Sequence, residues 1–409
     1  MNTRKIFIIN CKYKNRGQFG VIIIFKNKLF KTSLASLLLI LFPVVVLGNE
    51  KTQDSTNLNI ESPSAILIDG ESGKILFEKN SQEVRSATSL MKIMNLLLAA
   101  EAIEKGDINL NEKVPISENS EKVSGAGVWL KENESVSVED LVKAIVLVSA
   151  NDACVSLAEH MKESEGNFVS KMNQKASKLQ MNNTIFKDCI GGDDDGNVST
   201  AHDISIMAKE LLKHENISSC LTTWIDHIRN GETQIVNTNK LLKSFKGSTG
   251  IKTGTSEKAG SCIAASAERN GIKLIAVILG AKDVKERDKE IISLLNYGFD
   301  EFIKITPKLP ENFPETLKIK NGMKSEIKIY TPVKENFLIH KNLLGKISSN
   351  INLSEEISAP IDKDQKVGEI NYNIGNETVC SYNINSSEEV EKINFKSVLR
   401  CVILQFFKM

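Results

Sequence analysis

Apolar residues recur along this chain with two different periods, and each period marks a different kind of element. Ser64-Ala65-Ile66-Leu67-Ile68 and Lys74-Ile75-Leu76-Phe77 are short apolar-rich runs joined by Asp69-Gly70-Glu71-Ser72-Gly73, which predicts a β-hairpin. From Ser89 to Glu104 the apolar positions are Leu90, Ile93, Met94, Leu97, Leu98 and Ile103. That helical period predicts a mostly buried helix that stops near Gly106. Further helices are expected over Val138 to about Val148, Asp152 to Met161 and Ala201 to Lys213. Strand patterning returns at Gly250 to Gly254, Ser261 to Glu268 and Ile272 to Leu279, with Asn270-Gly271 as a tight hairpin turn. Leu294 to Ile303 reads as a closing helix. Strands at both ends with helices between them predict an α+β unit, an antiparallel sheet covered by helices.

The pattern changes at Thr306-Pro307-Lys308-Leu309-Pro310. Short alternating runs follow, such as Leu317-Lys318-Ile319 and Glu326-Ile327-Lys328-Ile329-Tyr330, and predict a small all-β domain to about residue 386. In the tail, Phe395, Val398, Leu399, Val402, Ile403, Phe406 and Phe407 form one helical stripe, with Lys396, Arg400 and Lys408 off it. A helix with an apolar face and a basic rim can lie in a membrane interface. At the other end, Lys26, Lys28 and Lys31 precede an apolar run from Leu34 to Leu47, shorter than the ~20 residues of a comfortable span. Val46-Leu47-Gly48 closes it in the manner of a signal peptide cut before Asn49. An uncleaved anchor is the competing reading, and the segment before Lys26 has no role in either.

Composition narrows the field. The 409 residues are 41% apolar and 25% charged, ordinary for a folded chain of two domains with appendages. A net charge of +1 gives no electrostatic reason for a nucleic-acid partner. The seven cysteines include no C-x-x-C pair, so neither a zinc site nor a thioredoxin-like motif is indicated. Most of them read as small buried apolar residues, with no disulfide assignable. Five histidines lack metal-ligand spacing, and no serine sits in G-x-S-x-G, so a His-based triad is unsupported. Asp193-Asp194-Asp195-Gly196 lacks the alternating ligands and distant glutamate of a calcium loop and reads as a turn. No cofactor or metal is called for.

Three short motifs carry the candidate chemistry. Ser89-Leu90-Met91-Lys92 is S-x-x-K at the head of the first helix, where i and i+3 share a face. The Lys92 amine can therefore reach the Ser89 hydroxyl and, when neutral, serve as base for its attack on a carbonyl. Alone the pattern says little, because Ser325-Glu326-Ile327-Lys328 matches it in a β-patterned stretch. Ser149-Ala150-Asn151 is S-x-N and has several chance copies; it differs in standing where one apolar helix hands over to another. Lys252-Thr253-Gly254 occurs once, on a strand, with side chains suited to a carboxylate and a glycine expected to leave room for a substrate backbone.

S-x-x-K, S-x-N and K-T-G in this order form the signature of penicillin-binding proteins and serine β-lactamases. The longer wording resembles the low-molecular-weight D-alanyl-D-alanine carboxypeptidases of serine peptidase family S11. Ser149-Ala150-Asn151-Asp152-Ala153, the loop Gly191 to Gly196, Gly250-Ile251-Lys252-Thr253-Gly254-Thr255, Ala259-Gly260-Ser261-Cys262 and Asn296-Tyr297-Gly298-Phe299 carry the likeness. It implies a transpeptidase-like catalytic domain over 55–305, an all-β domain over 306–386 and a membrane-associating helix over 388–409, behind a signal and extension over 1–48. It implies an exported enzyme, peripherally held at the outer face of the cytoplasmic membrane, that trims pentapeptide stems of peptidoglycan and is acylated by β-lactams. By the resemblance Ser89 is the nucleophile, Lys92 the base and Ser149 a proton relay. Asn151 would hold the substrate amide, Lys252 and Thr253 its terminal carboxylate with help from Arg287, and the Ser89 and Thr255 amides the oxyanion. The Lys92 amine is expected to be held neutral by burial and by the charge of Lys252.

Two rivals are weighed. A class A β-lactamase uses a further glutamate for deacylation, and no E-x-x-L-N stands between Asn151 and Lys252. A binding protein without turnover would have no need of Lys92 and Ser149. The departures from the family wording are Ile190 before Gly191 in place of a proline, a loose stretch from Glu215 to Asn239, and the extension before Lys26.

Overall fold

The computed structural model describes residues 58–192, 196–332 and 336–395, together with 399 and 403. The expected signal segment, Asp193 to Asp195 and most of the tail stripe lie outside the described residues.

A five-stranded antiparallel sheet forms the centre. Its strands are β1 (Ser64–Asp69), β2 (Ile75–Lys79), β3 (Ser248–Ser256), β4 (Gly260–Arg269) and β5 (Ile272–Ala281), in the order β2-β1-β5-β4-β3. Chain termini of the unit thus meet in one sheet: β1 pairs with β5 from Ser64↔Leu279 to Asp69↔Leu274. Asn270 (φ 51°) and Gly271 (φ 73°) make the tight turn from β4 to β5 as expected, since both can take positive φ.

Both faces of the sheet are buried, which explains why its strands read as nearly continuous apolar runs. Ile66, Ile68, Ile275, Val277 and Leu279 face a layer of helices. Those helices are α1 (Lys92–Lys105), α2 (Val138–Leu147), α3 (Asn151–Lys162), α4 (Glu165–Lys178) and α5 (Ala201–Leu211). Ala65, Leu67, Leu274, Ala276 and Ile278 face the other way, onto Ile291, Leu294 and Leu295 of α6 (Val284–Glu301). Helix α1 is buried on every side from Lys92 to Ala100, so it is the hub of the helical layer. Its end is set by Gly106 at φ 75°. Side-chain caps fix four of the other starts: Ser137 Oγ accepts from Asp140 N, Ser164 Oγ from Asn167 N, Thr200 Oγ1 from Asp203 N and Asp283 Oδ1 from Glu286 N.

The closing helix differs from its expected bounds. It begins at Val284, because Asp283 caps a polar first turn that carries no apolar rhythm, and it ends at Glu301. The last residues of the expected helix instead open strand β6 (Phe302–Ile305), which pairs with β9 (Phe337–His340). Helix α4 was not anticipated, since only Phe168, Met172 and Ala176 of it are buried.

The C-terminal region is all-β, as expected. Strands β7 (Thr316–Lys320), β8 (Glu326–Tyr330), β10 (Ile347–Leu353), β11 (Glu356–Ser358), β12 (Lys366–Ile374) and β13 (Glu377–Ser386) form a sheet ordered β10-β12-β13-β8-β7-β11. Its own small core holds Leu317, Ile327, Ile370, Tyr372, Tyr382 and Ile384. The second S-x-x-K runs into β8, so Ser325 heads no helix.

Candidate active site

Ser89 stands in a single 3-10 turn, Thr88–Met91, that runs directly into α1. Lys92 is the first residue of α1, and its Nζ lies 3.1 Å from Ser89 Oγ. The lysine is 1% exposed. Burial disfavours its charged form and lowers the amine's pKa below the ordinary lysine value, against smaller opposing contributions from Cys154, Cys189 and Asp188. Burial therefore does what was expected of it, and the expected repulsion between the two neighbouring amines is present as well, seen where the Lys92 charge acts on Lys252. Burial first, then the Lys92 charge and the more distant Arg287, bring Lys252 down to about 7.

The turn at Ser89 is strained and held from both sides. Thr88 has φ 44°, a region that a β-branched residue avoids. Gly254 of β3 lies on one side: a Cβ there would stand 2.6 Å from Thr88 Cγ2 and 3.0 Å from Ser89 N. Gly191 lies on the other at φ 76°, and a Cβ there would overlap the Thr88 carbonyl oxygen. Two bare backbones thus clamp Thr88, the residue before Ser89. The side of Gly254 that a Cβ would take is filled by Thr88 and Ser89, so its bareness also lets β3 approach that turn closely. The Gly191 loop is built on Asp188, whose Oδ1 accepts from the amides of Ile190, Gly191 and Gly192 at 2.9, 2.7 and 3.2 Å. Asn197 Nδ2 closes the loop by donating to Asp188 Oδ2 at 2.7 Å and to Gly192 O at 3.0 Å.

Ser149 sits in the three-residue joint between α2 and α3, at φ 62°. It is 8% exposed, and its Oγ has no hydrogen-bond partner among the described residues. A buried hydroxyl left open in this way is suited to a group that arrives with a ligand. Asn151 opens α3; its amide N–H donates to Ala126 O and its Nδ2 to Ser124 O, both at 2.7 Å. Cys154, one turn further on, is buried with its thiol pushed up to about 12 by desolvation, and both Lys92 and Lys252 act on it. That places the start of α3 beside the two lysines.

On β3, Lys252 Nζ donates to the Thr253 carbonyl at 3.2 Å and Thr253 Oγ1 to Thr238 Oγ1 at 2.9 Å. Thr255 is exposed near the strand's end, its Oγ1 3.4 Å from Ser261 Oγ. Arg287 is buried in the first turn of α6, with Nη2 2.7 Å from Asp288 Oδ1. It is linked to the site by its charge acting on Lys252, and no hydrogen bond joins it to the other candidates among the described residues.

Sequence reasoning missed Thr88, Asp188, Asn197 and Asp152. The buried Asp152 carboxylate accepts from the amides of Val128 and Leu130 at 3.0 and 3.1 Å and so ties the 124–130 loop to α3. Its position directly after S-x-N, at the start of a helix, was the available signal. Thr88 had none, because a positive φ at threonine is imposed from outside. Three of the described cysteines, Cys154, Cys189 and Cys262, are buried thiols, in line with the reading as small apolar residues; Cys11 and Cys401 lie outside the described residues. No acidic, histidine and cysteine cluster fit for a metal occurs among the described residues.

The arrangement joins a serine hydroxyl, a buried lysine whose charged form is disfavoured, an open buried serine and a second buried lysine brought down to about 7. That set suits covalent catalysis on an acyl group whose far end is anionic. Comparison with known proteins agrees. The profile of the family described as D-alanyl-D-alanine carboxypeptidase (Peptidase S11) matches residues 49–283, and that of the penicillin-binding protein 5 C-terminal domain matches 310–392. The D-alanyl-D-alanine carboxypeptidase DacF of Bacillus subtilis is 34% identical over 379 residues, which is 91% of this chain and 97% of that protein. DacC of Escherichia coli is 31% identical over 368 residues, 88% and 91% of the two chains. Among solved structures, penicillin-binding protein 5 from Haemophilus influenzae superposes with a TM-score of 0.74 at 27% identity, covering 82% of this chain and 99% of that one. Penicillin-binding protein D2 from Listeria monocytogenes, solved in its ampicillin-bound form, gives 0.55 at 30% identity over 60% of this chain and 100% of that one.

Proposed function

The chain belongs to the D-alanyl-D-alanine carboxypeptidase family of serine peptidases, and from that premise we propose how its own residues carry the reaction. Ser89 Oγ attacks the carbonyl of the penultimate D-alanine while Lys92 Nζ takes its proton. The 3.1 Å approach to that hydroxyl of a buried amine whose charged form is disfavoured is the observation that carries this reading. The developing oxyanion is received by the Ser89 and Thr255 amides, where one such donor is worth roughly 3 kcal/mol. Ser149 relays the proton to the departing amine, which explains a buried hydroxyl kept open. Asn151 holds the substrate amide. Lys252, in its charged form, and Thr253 bind the terminal carboxylate, with Gly254 keeping β3 against the nucleophile and Arg287 adding positive charge from α6. Water then cleaves the acyl-enzyme, and the balance is one peptide bond hydrolysed and one D-alanine released.

By the same reading β-lactams acylate Ser89, because their strained amide takes the place of the D-Ala-D-Ala bond; the ampicillin-bound Listeria relative supports this. The enzyme is read as exported and acting in cell-wall maturation, with catalytic and all-β domains divided near residue 305. No helix among the described residues is long and apolar enough to cross a membrane. Phe395, Leu399 and Ile403 are helical and exposed, which supports a tail that lies through one face on the outer face of the cytoplasmic membrane. The test is Ser89→Ala. It should keep the wild-type circular dichroism and melting temperature, and lose fluorescent-penicillin labelling and D-alanine release together. A variant that still labels or still releases D-alanine removes Ser89 from the role.

A further inference from the structure

Trp129 is 81% exposed and has φ 54°. Each is unfavourable for a tryptophan, and a bulky residue at positive φ persists only where its surroundings dictate it. Here they do. Asp152 Oδ2 accepts from the amides on either side, Val128 N at 3.0 Å and Leu130 N at 3.1 Å. Arg229 holds the same segment from the carbonyl side, donating from Nη1 to Val128 O at 3.0 Å and from Nη2 to Trp129 O at 3.2 Å. Arg229 is itself at φ 55° and is fixed by Glu134, with Nε 2.5 Å from Oε1 and Nη2 3.2 Å from Oε2. Val128 and Leu130 are buried, so the residue between them is driven outward. A glycine or asparagine would meet these demands without strain. The interior therefore builds the bend, and the indole it presents has its use outside the molecule.

The bend belongs to the candidate active site. Its loop begins at Ser124, whose carbonyl accepts from Asn151 Nδ2, and a Cβ on Gly125 would stand 2.7 Å from that same nitrogen. We propose that the Trp129 indole is a stacking platform for a pyranose ring of the glycan strand that carries the stem peptide. This rests on the reading of the site as acting on peptidoglycan stems, and it deepens that reading. The residues of such a stem are alanines, a glutamate and a diamino acid, none with a flat apolar face. A pyranose offers a face of C–H groups matched in size to an indole. The two lengths are of one order: four stem residues between the scissile bond and the sugar extend to about 14 Å, and the five Cα–Cα steps from Ser124 to Trp129 to about 18 Å.

The experiment compares kcat/KM on a free pentapeptide and on the same pentapeptide joined to its disaccharide. Wild type should prefer the disaccharide form by about 5- to 10-fold, through KM, the size expected of one aromatic contact. In Trp129→Gly the ratio should fall to about one, and Trp129→Phe should keep part of it. Trp129→Gly should melt no lower than wild type, because glycine accepts this φ. A second measurement does not depend on hydrolysis. In a Ser89→Ala, Trp224→Phe background Trp129 is the remaining indole of the chain's two, and a stemless disaccharide should shift its emission saturably. If the carboxypeptidase reading fails, this binding still reports on the platform. A wild-type ratio of one overturns the proposal. An equal proportional loss on both substrates also overturns it and places the indole on the stem. So does an emission shift with anionic lipid vesicles and none with the disaccharide.

Discussion

Lys252 lies in the interior with a pKa of about 7 rather than 10.5, so the fold works against its charge and Lys252→Met should make the protein more stable. The unfolded chain binds the Lys252 proton up to about pH 10.5, whereas the folded chain releases it above about 7. Between these values the unfolded state holds more protons, so wild-type stability rises with pH across this window, and below it the full penalty applies. At about 1.4 kcal/mol for each tenfold, the gap between 10.5 and about 7 amounts to about 5 kcal/mol. Losing the 3.2 Å bond to the Thr253 carbonyl returns about 1 kcal/mol, and imperfect filling by methionine returns a similar amount. A net gain of about 2–3 kcal/mol below pH 7 follows, worth roughly 4–10 °C in melting temperature for a unit of this size. The assay is thermal and urea unfolding of wild type and Lys252→Met at half-unit steps from pH 6 to 10, with D-alanine release measured alongside. The stability difference should shrink steadily with pH while release is lost throughout. A gain that does not vary with pH, or a variant less stable than wild type at pH 6, refutes the argument.

Two further substitutions test the frame around the nucleophile. Gly191→Ala drives a Cβ into the Thr88 carbonyl at φ 76° and should lower stability by about 2 kcal/mol or more, with penicillin acylation slowed at least tenfold in stopped-flow traces. Asp152→Asn weakens the bonds to the amides of Val128 and Leu130 and should lower stability by about 1.5–3 kcal/mol, measured by urea unfolding. The same variant should be cut in the 124–130 loop at protease levels that spare wild type.

Much of the central fold was legible because its apolar patterns are strong. Helix α1 reads as buried on all sides, β4 and β5 announce their turn with Asn270-Gly271, and Pro307 and Pro310 mark the change to β structure. Helix α4, which buries only Phe168, Met172 and Ala176, and the polar first turn of α6 escaped, since Asp283 caps that turn without an apolar signal. For the site, residue types and order brought out Ser89, Lys92, Ser149 and Lys252. What they could not show is conformation imposed by distant parts. The positive φ of Thr88, the packing face of Gly254 and the carboxylate of Asp188 under the Gly191 loop exist only once three separate segments meet.

Thr88, which precedes the nucleophile, is gripped by Gly191 on one side and Gly254 on the other, and both come from far later in the chain. Loop closure over such separations comes late in the ordering of a chain. A polypeptide that has only collapsed therefore carries Ser89 and Lys92 but not the bent turn that holds Ser89. Covalent capture of penicillin then becomes a clock for completed folding, and on refolding from urea it should lag behind the recovery of helical circular dichroism.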